Sequence, residues 1–248
     1  MKAPIFCILF ASFLLLTLEA SAQQREKEED EYTREYVWGI NKNTNGGYIG
    51  GFNLKFSRRV QPSMFRTLGF EIVNVKHPKE IRVPAFSGGS FILGKSNYLY
   101  SMRFSYGMER LLFRKGPQQG VQVTVHASGG PTLGIIAPYY IEVHGGSSSV
   151  SGFTTTAQYD PYNSAHVVNN IYGTGRPLEG IGQSDITAGL HARTGFSFEF
   201  GTFRTNVSGL ELGIMLEAFP NEVVLLPRSE NQRLFPSAYI TLFHGSRR

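Results

Sequence analysis

The stretch YLYSMRFSYGME, residues 98–109, places Tyr98, Tyr100, Met102, Phe104, Tyr106 and Met108 at every second position. Leu99, Ser101, Arg103, Ser105, Gly107 and Glu109 stand between them. Helical spacing would scatter the large residues around every side, whereas a strand gathers them on one face. The same alternation recurs along the chain. In residues 47–57, Tyr48, Gly50, Phe52, Leu54 and Phe56 oppose Gly51, Asn53, Lys55 and Ser57, with Ile49 out of step. In 189–201, Leu190, Ala192, Thr194, Phe196, Phe198 and Phe200 oppose His191, Arg193, Gly195, Ser197 and Glu199. Val121, Val123, Val125 and Ala127 oppose Gln122, Thr124, His126 and Ser128.

These segments approach the roughly 9–11 residues that a strand needs to cross a bilayer. Their apolar faces are long and aromatic, as lipid-facing bands are, while the opposite faces carry Arg103, Arg193, Glu199, Glu211 and Glu217 at mid-strand. A soluble sandwich holds such charges in water; a narrow membrane barrel pairs them inside. No segment beyond the first 20 or so residues resembles a membrane helix, and without helices only a closed barrel satisfies every backbone group in lipid. The pattern therefore points to an all-β, antiparallel transmembrane β-barrel filling residues 36–248.

Strands are expected at about 35–43, 47–59, 64–76, 96–114, 119–143, 187–202, 205–219 and 235–246, which makes eight. Gly129-Gly130-Pro131 interrupts the fifth and leaves ten strands as an alternative. After the first connection, short and long ones alternate, as periplasmic turns and outer loops do. On that reading both termini lie in the periplasm. The long connections, 77–95, 144–186 and 220–234, are rich in Gly, Pro, Ser, Thr and Asn and read as polar turns.

Ahead of the barrel, Lys2, the apolar run Ile5–Leu18 and Ala20-Ser21-Ala22 have the form of a secretory signal peptide spanning 1–22. The only cysteine, Cys7, lies within it, so the exported chain has no thiol for catalysis or disulfides. Residues 23–35 form a charged lead-in without apolar periodicity, expected on the periplasmic side. The net charge of +5 is spread along the sequence with no basic run, which gives nucleic-acid binding little support.

The stretches FRTLGFEIVNVKHPKE (65–80), YGMERLLFRKGPQQGVQV (106–123) and GGPTLGIIAPYYIEV (129–143) resemble the small outer-membrane β-barrel proteins of the Bacteroidota. The resemblance implies the fold and the compartment, and no reaction. Such barrels commonly end on an aromatic residue; here the strand 238–243 is followed by HGSRR, so Phe243 is near-terminal.

Three functional readings remain open. The first is a non-enzymatic structural, surface-interaction or envelope and export accessory protein. Its partners are outer-membrane lipid and lipopolysaccharide, the barrel-insertion machinery and an envelope or surface protein. The second is a lipid-A-modifying enzyme with His126 as base, Ser128 as nucleophile and Glu142 as orienter, a His-x-Ser arrangement similar to that of barrel lipid A deacylases. Against it, His126 and Ser128 fall on the polar face; the weaker pairings of His191 with Glu199 or Glu211 read as lumen packing. The third is a narrow channel or small-solute binder lined by Arg103, Arg193, Glu199, Glu211 and Glu217, whose bland counterpart is a closed charge network. No cofactor and no metal set is expected: His77, His144, His166 and His244 lack ligand spacing, Asp160 reads as a turn residue, and Gly46-Gly47 is followed by no helix.

Overall fold

A computed structural model describes residues 32–115, 120–144, 154–176, 178–200 and 205–248. The signal segment and most of the charged lead-in lie outside the described residues, as do the side chains of Tyr48 and Ile49. The described residues form thirteen strands: β1 (Arg34–Asn43), β2 (Gly46–Gln61), β3 (Met64–Val75), β4 (Arg82–Pro84), β5 (Ser90–Ile92), β6 (Asn97–Phe113), β7 (Gln122–Pro138), β8 (Tyr140–His144), β9 (Thr154–Gln158), β10 (Ile171–Thr174), β11 (Asp185–Phe200), β12 (Asn206–Val223) and β13 (Gln232–Arg247).

Eight of them close an antiparallel barrel in the order β1-β2-β3-β6-β7-β11-β12-β13, with β13 returning to β1. The seam runs from Glu35 opposite Arg247 to Asn43 opposite Tyr239. Each barrel strand pairs with the barrel strands before and after it in sequence, so the sheet is an up-and-down meander. The ten-strand alternative is excluded. Gly129, Gly130 and Pro131 lie inside β7 and keep their register against Ala192, His191 and Leu190 of β11. The break falls instead at Tyr139, after which the chain leaves the barrel. The last connection is also shorter than expected, because β12 continues to Val223 past an irregularity after Ala218.

The rim carrying the termini has the turn at 62–63 and the links from β6 to β7 and from β11 to β12. The opposite rim has one tight turn at 44–45 and three larger connections. Expected as polar turns, two of these hold sheets of their own: the hairpin β4-β5 and the three-stranded sheet β10-β8-β9. They bury Phe91, Ile92, Tyr139, Ile141, Tyr159 and Ile171 in a shared apolar core that caps the barrel. A second apolar layer, Val73, Val75, Leu99, Phe219, Val223, Leu225 and Phe235, fills the barrel mouth.

Two glycines show how tightly the inside is filled. A Cβ at Gly213 would stand 2.5 Å from the Tyr239 hydroxyl, and one at Gly209 would stand 2.5 Å from the Phe243 ring. Both aromatic rings lean over the neighbouring strand β12 because their register partners there have no side chain.

The outer surface is the reverse of a soluble protein's. Tyr36, Trp38, Ile40, Phe52, Leu54, Leu68, Ile72, Phe104, Leu190, Phe196, Leu212, Ile214, Leu216, Ile240 and Leu242 are all exposed. A contiguous belt of this kind far exceeds the apolar patches of water-soluble monomers. On β1 the belt is bounded by the exposed Arg34 and Lys42. At ordinary strand rise and tilt this corresponds to roughly 20 Å along the barrel axis, near the ~25 Å band of membrane barrels.

A closed barrel of this kind resists detergent unfolding at room temperature. On a gel of the detergent-extracted protein, boiled and unboiled samples are expected to migrate differently, and removal of residues 232–248 is expected to abolish the shift. A single mobility for the intact chain would contradict the closed seam.

Candidate functional site: a charged lumen beneath a folded cap

Because successive strand residues face opposite ways, every second residue of each barrel strand is delivered to the lumen. Among the described residues these form a chain of alternating charge. Glu109 of β6 pairs with Lys55 of β2 at 2.6 Å, and Lys55 reaches Glu211 of β12 at 3.5 Å. Glu211 pairs closely with Arg193 of β11, whose guanidinium lies 3.7 Å from Glu71 of β3. Glu71 accepts from Arg103 of β6 at 3.1 Å. Arg103 then grips Glu217 of β12 with two bonds of 3.0 and 2.8 Å. This fork-to-fork pairing is the strongest geometry available to these groups. Arg103 and Glu217 are almost fully buried, at 2% and 0% exposure.

A second group lies nearer the termini. Arg247 donates to Glu35 at 2.9 Å and also pairs with Glu199, which holds Lys115 at 2.7 Å. The Arg247 guanidinium sits 4.0 Å over the Tyr32 ring, which stacks on Phe65. Val37, Val207 and Phe243 form an apolar cluster on the lumen face of this half of the barrel. A lumen cavity bordered by Tyr32, Glu35, Lys55, Phe65, Glu109 and Glu199 has a volume of about 20 Å³. That is room for a single water.

The histidines serve the same packing. His126 meets the Tyr239 hydroxyl through Nε2 at 2.7 Å and lies 3.3 Å from Glu211. Tyr239 also accepts from Arg193 at 3.3 Å and lies beneath its guanidinium. His191 bridges Thr132 and Ser105, both at 3.0 Å.

Arg103, Arg193, Glu199, Glu211 and Glu217 all lie in the lumen, the first two and last two in one chain and Glu199 in the other group. His126, Ser128 and Glu142 are not brought together. His126 Nε2 is taken by Tyr239 and Glu211, Ser128 packs against Gly107 across the β6–β7 pair, and Glu142 sits on β8 in the cap, opposite Thr156 and Gly173. His191 and Glu199 stand eight residues apart on β11 with different partners. Asp160 closes a turn by accepting from the Tyr162 amide at 2.9 Å. Among the described residues no cluster of His, Cys, Asp and Glu has metal-ligand geometry. Sequence reading missed Glu35, Glu71, Tyr239 and Arg247. The signal that could have found them is the alternation along β1, β3 and β13, where each of the four falls at a buried position.

The cap is a built unit rather than three independent loops. Ser96 donates to the Leu225 carbonyl at 2.9 Å, Tyr139 to Ser96 at 2.7 Å and Tyr159 to Tyr139 at 2.7 Å. The Tyr139 hydroxyl accepts from the Ile92 amide at 3.0 Å. Lys95, wholly buried, pairs with Glu80 at 2.6 Å and lies 4.4 Å over the Tyr98 ring. Burial holds the Lys95 ammonium below the usual lysine range, against the opposing pull of Glu80. The cap's outside presents Phe86 at 72% exposure and Tyr162 at 67%. Phe86 packs edge-on to Tyr172, which stacks on His144.

No protein-family model matches the chain, and no curated protein does. Among solved structures it is similar to Ail, the attachment invasion locus protein of Yersinia pestis, solved with the heparin analogue sucrose octasulfate. Identity is 12%, the TM-score is 0.38, and the match covers 88% of this chain and all of that one. Neisserial surface protein A matches at 10% identity and a TM-score of 0.38, over 88% of this chain and 97% of that one. Likeness at this level carries no functional weight.

Two substitutions probe these networks. Arg103→Met leaves the Glu71 and Glu217 carboxylates facing each other without their common partner, and is expected to cost about 3–5 kcal/mol. Urea unfolding in detergent, followed by Trp38 fluorescence, reads that loss. Lys95→Met leaves the Glu80 carboxylate with the His77 amide but without its ammonium partner, and is expected to loosen the cap while leaving the barrel intact. Faster amide exchange in residues 80–96 and 139–159, with unchanged exchange in β11–β13, is the expected signature.

Proposed function

We propose that this chain is an integral outer-membrane protein that acts through its loop cap and not through its lumen. The terminus-bearing rim faces the periplasm and the cap faces outward. The exposed apolar belt supports the membrane reading, since water would not tolerate it and hydrocarbon requires it. The observation that carries the choice of surface over pore is the lumen itself, which among the described residues is filled by paired charges and two apolar clusters beneath a folded lid. The cap, by contrast, invests its own core in holding Phe86, Tyr162 and Tyr172 outward. An adhesive or envelope-interaction role fits that investment, with a surface or envelope protein or lipopolysaccharide as partner and the barrel-insertion machinery as the assembly factor.

The cysteine-free barrel permits a direct test of orientation. On intact cells, a membrane-impermeant maleimide is expected to label Ser87→Cys in the cap and to spare Ser63→Cys in the turn at the opposite rim. The reverse pattern would invert the protein. In planar bilayers the purified barrel is expected to be electrically silent, and discrete conductance steps would overturn the closed-lumen reading.

A further inference from the structure

A row of arginines crosses the outside of the barrel at the terminus-bearing rim. Arg34 on β1 is in register with Arg58 on β2, and Arg58 with Arg66 on β3. On its other side Arg34 exchanges backbone hydrogen bonds of 2.8 and 2.9 Å with Arg248. All four are exposed, and they span roughly 15 Å at the ordinary inter-strand spacing. Arg110 of β6, also exposed, stands one outward position beyond Met108, the partner of Arg66. Among the described residues no side-chain carboxylate pairs with Arg34, Arg58 or Arg66, because Glu35 and Glu109 turn into the lumen to Arg247 and Lys55, and Arg66 lies over the Tyr106 ring at 5.9 Å.

The next outward positions toward the loop rim are aromatic or aliphatic. Tyr36, Phe56 and Leu68 lie directly above the arginines, followed by Trp38, Leu54 and Phe70. These side chains, with His244 and Ser246 of β13, wall an open groove of about 590 Å³ that begins one outward position above the row. A cationic row beneath an aromatic girdle is the arrangement that meets a lipid at its headgroup and its chain together.

We propose that this face binds an anionic phospholipid of the inner leaflet. Neighbouring guanidinium groups of Arg34, Arg58 and Arg66 grip the phosphate diester, and an acyl chain lies in the groove. Planar guanidinium groups match phosphate oxygens in pairs, and an anion between them relieves their mutual repulsion. The headgroup carries net negative charge, since a zwitterionic one would set its own ammonium against the same arginines. This site rests on the membrane reading above.

Trp38, the chain's only tryptophan, lies in the groove and reports on its occupant. The full chain is reconstituted in phosphatidylcholine vesicles containing an equal fraction of brominated phosphatidylglycerol or of brominated phosphatidylcholine. Brominated phosphatidylglycerol is expected to quench Trp38 more strongly, with a relative association about threefold higher that falls as salt is added. The variant Arg34→Gln/Arg58→Gln/Arg66→Gln is expected to lose the preference while keeping its gel shift. Should that variant fail to fold, Arg58→Gln alone is expected to lower the preference. Equal quenching by the two lipids in the native chain overturns the site and leaves the membrane reading standing. Quenching by neither places Trp38 outside hydrocarbon and overturns both. A preference that survives the substitutions overturns the assignment to the arginines.

Discussion

An eight-stranded barrel is too narrow to keep bulk water beside its inward charges, so each must be answered by another lumen side chain. Arg103 is where that constraint is tightest. Its guanidinium joins Glu71 of β3 to Glu217 of β12 from its own place on β6, linking strands that never pair as neighbours. Arg193 and Lys55 extend the same sign alternation toward the termini. A one-residue slip in any of these strands would turn its carboxylate or cation out to the belt and bring an apolar residue in. The charge chain therefore fixes register as well as answering each buried charge with an opposite one.

Sequence made the barrel legible where period two was clean. Residues 98–109 and 189–201 show both faces, and β6 and β11 carry them as read. It failed where apolar residues run on without alternation. Through Ile135, Ile136 and Ala137 to Tyr139 and Ile141 nothing marks the exit from the barrel, because the end of β7 and the start of β8 are both buried, one by the barrel mouth and the other by the cap. The cap core was invisible for a related reason. Phe91, Tyr159 and Ile171 sit in connections rich in turn formers, and none makes a pattern until the three segments meet. Charges showed the same limit. Parity tells which residues turn inward, but only register tells that Glu71 meets Arg103. The basic residues seemed dispersed along the sequence, yet Arg34, Arg58, Arg66 and Arg248 become neighbours once the strands pair.

The cap and the barrel are joined but differ in character. Below, the interior is held by ion pairs among strands; above, it is an apolar core with Lys95 and Glu80 as its one deeply buried pair among the described residues. Change in the exposed aromatic surface around Phe86 and Tyr172 can proceed without touching either interior.

The seam between β1 and β13 has a temporal meaning. Its partners, Glu35 with Arg247 and Asn43 with Tyr239, are separated by nearly the whole described chain. Until the final strand arrives, β1 presents an unanswered edge of amides and carbonyls, and the growing sheet presents another at its far side. Pairings so distant in sequence are slow to form. A sheet still lacking β13 would be open, with Glu35 and Glu199 without Arg247, which joins both only once the last strand is in place. Completion of the ring and quenching of that charge group are a single event.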